Sequence, residues 1–253
     1  MAAENSANKP AIAEYFADTA LMPELKRLMG LGIFTGITTN PSIIAREAAG
    51  SDPNAYLLEI ASAFPDVPVS SQILKGELPD LIKAAIETAA ISPNVVVKIP
   101  SYTDLLGTRG TEDGKALELI AALKGQEIKK NVTALMSAEQ AVCYMKAGER
   151  VGEPIQYVSL FFNRMKDAQA DPRREIENTR DFIERHGLTT EIIVGSIRAK
   201  EDIREAQMSG AHIITIPPKV FWEKVLAHPQ SKRFIDDAQR DYEDAFKAGP
   251  TNS

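Results

Sequence analysis

Eight short apolar runs recur along the chain with helical patterns between them, and no other feature restricts the possible folds as strongly. In order they are EYFADT from Glu14, IFTGITTN from Ile33, VPVSSQIL from Val67 and NVVVKIP from Asn94, then KKNVTAL from Lys129, IQYVSLFF from Ile155, EIIVGSI from Glu191 and HIITIPP from His212. Near-continuous runs of this kind suit strands buried on both faces. Between them lie amphipathic stretches such as ELPDLIKAAIETAA, GKALELIAALKGQ, SAEQAVCYMKAGE and DPRREIENTRDFIERHG. The last ends in Arg185 and His186 followed by Gly187, a helix stop. Strands alternating with helices at about 30-residue spacing predict an α/β fold, a (β/α)8 barrel, with a doubly wound sheet as the competitor. The expected layout is one barrel domain over residues 1–253, with a flexible N-terminal segment at about 1–12 and an extra amphipathic helix after His228 suited to packing or oligomer contacts.

Composition removes several function classes. A net charge of −6 argues against a nucleic-acid surface or an anionic membrane as partner. Cys143 is the only cysteine, which excludes an internal disulfide and any Cys-rich zinc site. His186, His212 and His228 lack the i, i+4 spacing of a metalloprotease helix. The start MAAENSANKP lacks a basic segment followed by an apolar one, and no apolar run approaches a bilayer span, so a cytoplasmic enzyme is expected. GTRGTEDGKA (Gly107–Ala116) imitates a phosphate loop without its spacing or its hydroxyl residue after the lysine, and GLGIFTG precedes a strand where a dinucleotide fingerprint would follow one.

Within the fourth run, NVVVKIPS poses a chemical question: a full positive charge stands among valines and an isoleucine. Burying an unpaired ammonium is costly, and the usual escape is a shifted pKa. Either Lys98 snorkels to a wet strand end or its amine becomes neutral and reactive. Side chains two apart share a strand face, and polar pairs fall at that spacing near several strand ends: Thr38/Asn40, Asn131/Thr133 and Ser196/Arg198, with Ser159/Phe161 in the same phase. Asp18, Gln72 and Lys98 stand singly at equivalent ends. In a barrel these groups converge on the C-terminal mouth, where active sites of this fold lie. A neutral lysine there suits Schiff-base chemistry on a carbonyl, with Asp18 available as a proton shuttle. Taken alone, Asp18 or Thr19 in ADTALMPELK fits a helix cap better. Arg164 and Arg198, with Ser196 ahead of a helix starting near Ala199, form a candidate phosphate site. Each arginine alone fits a surface ion pair with Asp167, Glu201 or Asp202 as well. TTNPSII also reads as a plain strand-to-helix turn with Ser42 near the cap.

GITTNPSII, VVVKIP, KNVTALMSAEQA, YVSLFFNR and GSIRAKEDIREAQMSGAHIITIPPKV together resemble transaldolase and its relative fructose-6-phosphate aldolase, in order from Asp18 to about Val220. The resemblance implies a class I aldolase barrel with no metal or organic cofactor, acting on sugar phosphates in carbohydrate metabolism of the pentose phosphate type, as a homo-oligomer. It matches Lys98 to the Schiff-base lysine, Asp18 to the acid/base group, and Gln72 and Thr133 to the holders of a catalytic water. It matches Asn40, Asn131 and Ser159 to ligands of the dihydroxyacetone unit, and Arg164, Ser196 and Arg198 to the phosphate site. Two positions depart in opposite directions. Transaldolases carry Glu where this chain has Gln72, whereas the aldolases carry Tyr where it has Phe161. Transfer of a dihydroxyacetone unit is the expected activity. Free aldol cleavage, a variant transaldolase making a long-chain sugar phosphate, and a non-catalytic sugar-phosphate binder are the alternatives.

Overall fold

The computed structural model describes residues 12–47, 50, 52–74, 76–101 and 114–247. The flexible segment expected at about 1–12 lies outside them apart from Ile12, as does most of GTRGTEDGKA. Each apolar run becomes a strand. In chain order the first half comprises β1 (Glu14–Asp18), α1 (Met22–Met29), β2 (Phe34–Thr38), α2 (Pro41–Glu47), α3 (Pro53–Ala63), β3 (Val69–Gln72), α4 (Leu78–Ala89) and β4 (Val95–Pro100). The second half comprises α5 (Lys115–Ala122), β5 (Lys130–Leu135), α6 (Ala138–Val151), β6 (Tyr157–Phe161), α7 (Phe162–Asp167), α8 (Pro172–His186), β7 (Glu191–Gly195), α9 (Lys200–Met208) and β8 (Ile213–Ile216). A short α10 (Pro218–Val220), a π-helical turn at Phe221–Leu226 and α11 (Pro229–Lys247) end the chain.

All strands run parallel, each pairs with the next in sequence, and β8 closes on β1. Closure decides between the two architectures: the fold is a (β/α)8 barrel, because a doubly wound sheet keeps open edges. Local chemistry sets the helix ends as expected. Asp52, Ser137 and Asp171 cap α3, α6 and α8 with their side chains, and Gly152 and Gly187 end α6 and α8 in the left-handed region at φ 79° and 60°.

The barrel wall sorts side chains by parity. Outward residues such as Ile37, Val69, Val97 and Val132 join the core beneath the helices. Inward, Phe16, Ile193 and Ile213 form a separate apolar plug with Tyr157 against it. Burying side chains of this size contributes about 1.5–3 kcal/mol each. Gly36 makes room for the plug, since a Cβ there would lie 2.4 Å from the Phe16 ring. Two residues further along the same strands come Asp18, Gly195, Thr215 and Ser159, so the plug forms the floor of a polar layer.

Candidate active site

A cavity of about 560 Å³ occupies the C-terminal mouth. Asp18, Thr38, Gln72 and Lys98 line it from β1 to β4. Ser159, Phe161, Arg164 and Ser196 line the opposite side, and Asn40 flanks it. Register pairing places Gln72, Lys98 and Asn131 side by side on β3, β4 and β5.

Lys98 is only 5% exposed, and its Nζ donates to the Thr39 carbonyl at 2.8 Å. Burial pulls its pKa down from the ordinary lysine range, opposed by the charge of Asp18. Asp18 moves the other way: burial raises its carboxyl, against the pull of Lys98 and the Thr38 hydrogen bond, and the Glu47 charge adds to the rise. Both groups are thus driven toward their uncharged forms. The Thr38 hydroxyl donates to Asp18 Oδ1 at 3.0 Å and lies 2.5 Å from the Thr215 hydroxyl, giving a short relay across three strands. The helix-cap role for Asp18 is therefore not what the fold uses. Leu21 occupies the α1 N-cap without a side-chain bond, and Thr19 Oγ1 accepts from Leu21 N at 3.2 Å.

Asn40 caps α2, with Ser42 in its first turn: Asn40 Oδ1 accepts from Ile43 N at 2.9 Å, which leaves the amide NH2 to offer a ligand. Asn131 and Thr133 do not line the cavity. Asn131 lies beneath it, donating to Ser70 Oγ at 3.2 Å and accepting from Ser159 Oγ at 2.7 Å, and so fixes Ser159 in the layer above the plug. The Thr133 hydroxyl is buried with no hydrogen-bond partner among the described residues. Pairing of β5 with β6 slips just there, between Val132 and Leu135, with Ala134 at φ 62°. A strained non-glycine bulge that re-aims an orphan hydroxyl is the kind of feature found at functional positions.

The loop after β7 is held with similar care. Ser196 adopts φ 61°, and its carbonyl accepts from Asn163 Nδ2 at 2.7 Å. Asp202 Oδ2 accepts from Arg198 N at 2.9 Å, Ala199 N at 2.8 Å and Asn163 Nδ2 at 2.7 Å. Burial pushes the Asp202 carboxyl up, and these donors together hold it below the ordinary range. Arg198 itself turns from the cavity and binds Asp167, so the surface-pair reading describes its side chain in this structure.

Sequence reasoning missed Thr215, Glu47 and Asn163, and named Asp202 only as a surface partner for an arginine side chain, not as the acceptor of the Arg198 backbone N–H. Thr215 was within reach, two residues beyond inward Ile213 in HIITIPP. Glu47 left no signal: it comes from the end of α2 to accept from Thr19 Oγ1 at 3.1 Å and Ala20 N at 2.7 Å, clamping the turn that follows Asp18. No group of three or more His, Cys, Asp or Glu residues among the described ones is arranged to hold a metal.

The sequence model of the family described as Transaldolase/Fructose-6-phosphate aldolase matches residues 15–252. The chain belongs to that family. A protein named probable transaldolase from Clostridium acetobutylicum is 36% identical over 231 residues, covering 91% of this chain and 98% of its own. One of the same name from Streptococcus agalactiae is 37% identical over 234 residues, covering 92% and 99%. Solved structures of low identity share the barrel. A protein from Aquifex aeolicus aligns with TM-score 0.54 at 10% identity over 83% of this chain and 84% of its own. A putative phosphonomutase from Burkholderia cenocepacia aligns with TM-score 0.52 at 13% identity over 91% and 93%. These last two bear on fold alone. No helix among the described residues is long and apolar enough to cross a membrane.

Proposed function

We propose that this protein is a transaldolase-type enzyme, transferring a dihydroxyacetone unit from a ketose phosphate to an aldose phosphate through a Schiff base on Lys98. The observation that supports it most is the buried amine of Lys98 facing the buried carboxyl of Asp18, each driven by burial toward neutrality. A neutral amine adds to the ketone carbon. The proton of neutral Asp18, relayed through a water that Gln72 and Thr133 orient, lets the hydroxyl leave as water. The resulting iminium is cationic and favours ionised Asp18, which now takes the C4 hydroxyl proton. The C3–C4 bond breaks, its electron pair flows into the iminium, and an aldose leaves. The enamine that remains attacks an acceptor aldehyde, Asp18 returns its proton to the new hydroxyl, and water hydrolyses the imine. No metal or organic cofactor enters this sequence.

Borohydride reduction with fructose 6-phosphate should leave a stable adduct on the Lys98 peptide, read by mass spectrometry. No adduct across several ketose phosphates would favour a non-catalytic binder. A second reading, reversible aldol cleavage, draws support from Gln72, because an amide orients water but cannot exchange a proton as a carboxylate does. Phe161 in the cavity wall favours transfer. Fast release of free dihydroxyacetone without an acceptor would decide for cleavage; a strict need for an aldose phosphate would decide for transfer. An acidic chain with a single cysteine suits the cytoplasm. Assembly as a homo-oligomer draws support from α11, which has no buried residue and exposes Phe234, Ile235, Tyr242 and Phe246. Sedimentation of a Phe234→Glu/Phe246→Glu variant at a lower mass than the parent would bear this out.

A further inference from the structure

We propose that Asp167 is an internal competitor for phosphate, holding Arg198 off the cavity until a phosphorylated sugar displaces it. The inference rests on the sugar-phosphate reading above and adds a specificity element to it. Arg198 meets Asp167 through two parallel hydrogen bonds, NH1 to Oδ1 at 2.8 Å and NH2 to Oδ2 at 2.6 Å. That fork-on-fork contact is the one a guanidinium makes with phosphate, so the carboxylate occupies the place of the anion. Asp167 closes α7 three residues after Arg164, which lines the cavity, and three-residue spacing puts the two on one helix face. The charge of Arg164 also acts on Asp167, so one carboxylate lies in the field of both guanidinium groups.

The surroundings leave only the side chains free to exchange. The Arg198 backbone is tied at both ends, its N–H to Asp202 at 2.9 Å and its carbonyl to Lys224 Nζ at 2.7 Å. Lys166, the nearest alternative cation on α7, is engaged with Asp202 and Glu205 at 3.2 and 3.5 Å. Arg198 and Asp167 are each about half exposed, at 50% and 48%, and ion pairs this exposed are weak. A dianion arriving beside Arg164 therefore outcompetes the carboxylate. An unphosphorylated sugar brings no replacement charge, and Arg198 stays with Asp167. The pair thereby lowers affinity for small stray anions and eases release of the phosphorylated product.

The test compares Asp167→Asn, Arg198→Ala and the double variant in the full-length protein. The readouts are inhibition by inorganic phosphate and KM for fructose 6-phosphate against an unphosphorylated ketose donor. Asp167→Asn should tighten phosphate inhibition and raise selectivity for the phosphorylated donor by about two- to five-fold, the range an exposed pair allows. Arg198→Ala should weaken both, and Asp167→Asn should have a smaller effect in the Arg198→Ala background than in the parent, because Asp167 acts mainly through Arg198. Loss or constancy of phosphate affinity in Asp167→Asn, with Arg198→Ala still damaging, would overturn the competitor role alone. An Arg198→Ala variant with unchanged phosphate affinity would overturn the phosphate site itself.

Discussion

Two lysines one strand apart, Lys98 on β4 and Lys130 on β5, are 5% and 1% exposed and have opposite surroundings. Lys130 pairs in register with Val97, on the face turned to the helices, and its Nζ bonds Glu153 at 2.8 Å and the Ile128 carbonyl at 3.0 Å. That hydrogen bond also holds the Glu153 carboxyl below its ordinary range, against a smaller push from burial. Lys98 points inward, donates to one carbonyl, and faces a carboxyl that is itself driven toward neutrality. The contrast shows that burying a lysine is not in itself a signal. Strand parity and the nearest acid decide whether the amine becomes a tie or a nucleophile.

Substitution separates the two lysines most sharply. Lys98→Met should lower turnover by about 10⁴-fold or more and abolish the borohydride adduct. It should also raise the unfolding midpoint at neutral pH. The pKa of Lys98 is lower folded than unfolded, so the unfolded chain binds the extra proton and stability of the parent rises with pH between those two values. The variant should flatten that rise; an unchanged slope would mean that the amine stays charged in the fold. Asp18→Asn should cost about 10²–10⁴-fold in kcat and slow formation of the adduct, since Asp18 supplies the proton with which the hydroxyl leaves as well as taking the C4 proton. An adduct formed at the parent's rate would remove Asp18 from imine formation and leave it only the C4 proton.

Lys130→Met should behave in the reverse sense to Lys98→Met. Adduct formation persists, and the protein loses about 1–3 kcal/mol in denaturant unfolding because Glu153 loses Lys130 and keeps only the Gly125 N–H. A drop in turnover at full stability would erase the distinction between the two lysines. The smallest effect is expected for Glu47→Gln. The Glu47 charge adds to burial in raising the pKa of Asp18, so the acid limb of the kcat profile should move to lower pH. A limb that stays in place would leave Glu47 as a mere clamp on the Thr19–Ala20 turn.

Much of the site was legible because strand parity is a local property. Thr38, Gln72, Lys98 and Ser159 face the cavity from positions two residues beyond inward, non-charged ones. What escaped involves distant parts of the chain. Asn131 proved to be the layer beneath the cavity because its amide is held by Ser70 on β3 and Ser159 on β6, residues 89 apart in the chain. Arg198 fits both a phosphate ligand and a surface pair by sequence; the fold sets its guanidinium on Asp167, 31 residues away. The local cap reading of Asp18 fails because the Thr38 hydroxyl, from the next strand, donates to its carboxyl and Leu21 takes the N-cap position of α1.

The amino-acid pattern alone determined the alternation of strands and helices, the inward phase of the polar residues, and the presence of a lysine that ordinary burial would not tolerate. Only the closed ring decided that this lysine meets Asp18, that Glu47 and Thr215 join them, and that Arg198 is held by a carboxylate. The reason is physical. Periodicity is written in neighbouring residues, whereas desolvation and charge pairing depend on which distant side chains the fold brings within a few ångströms.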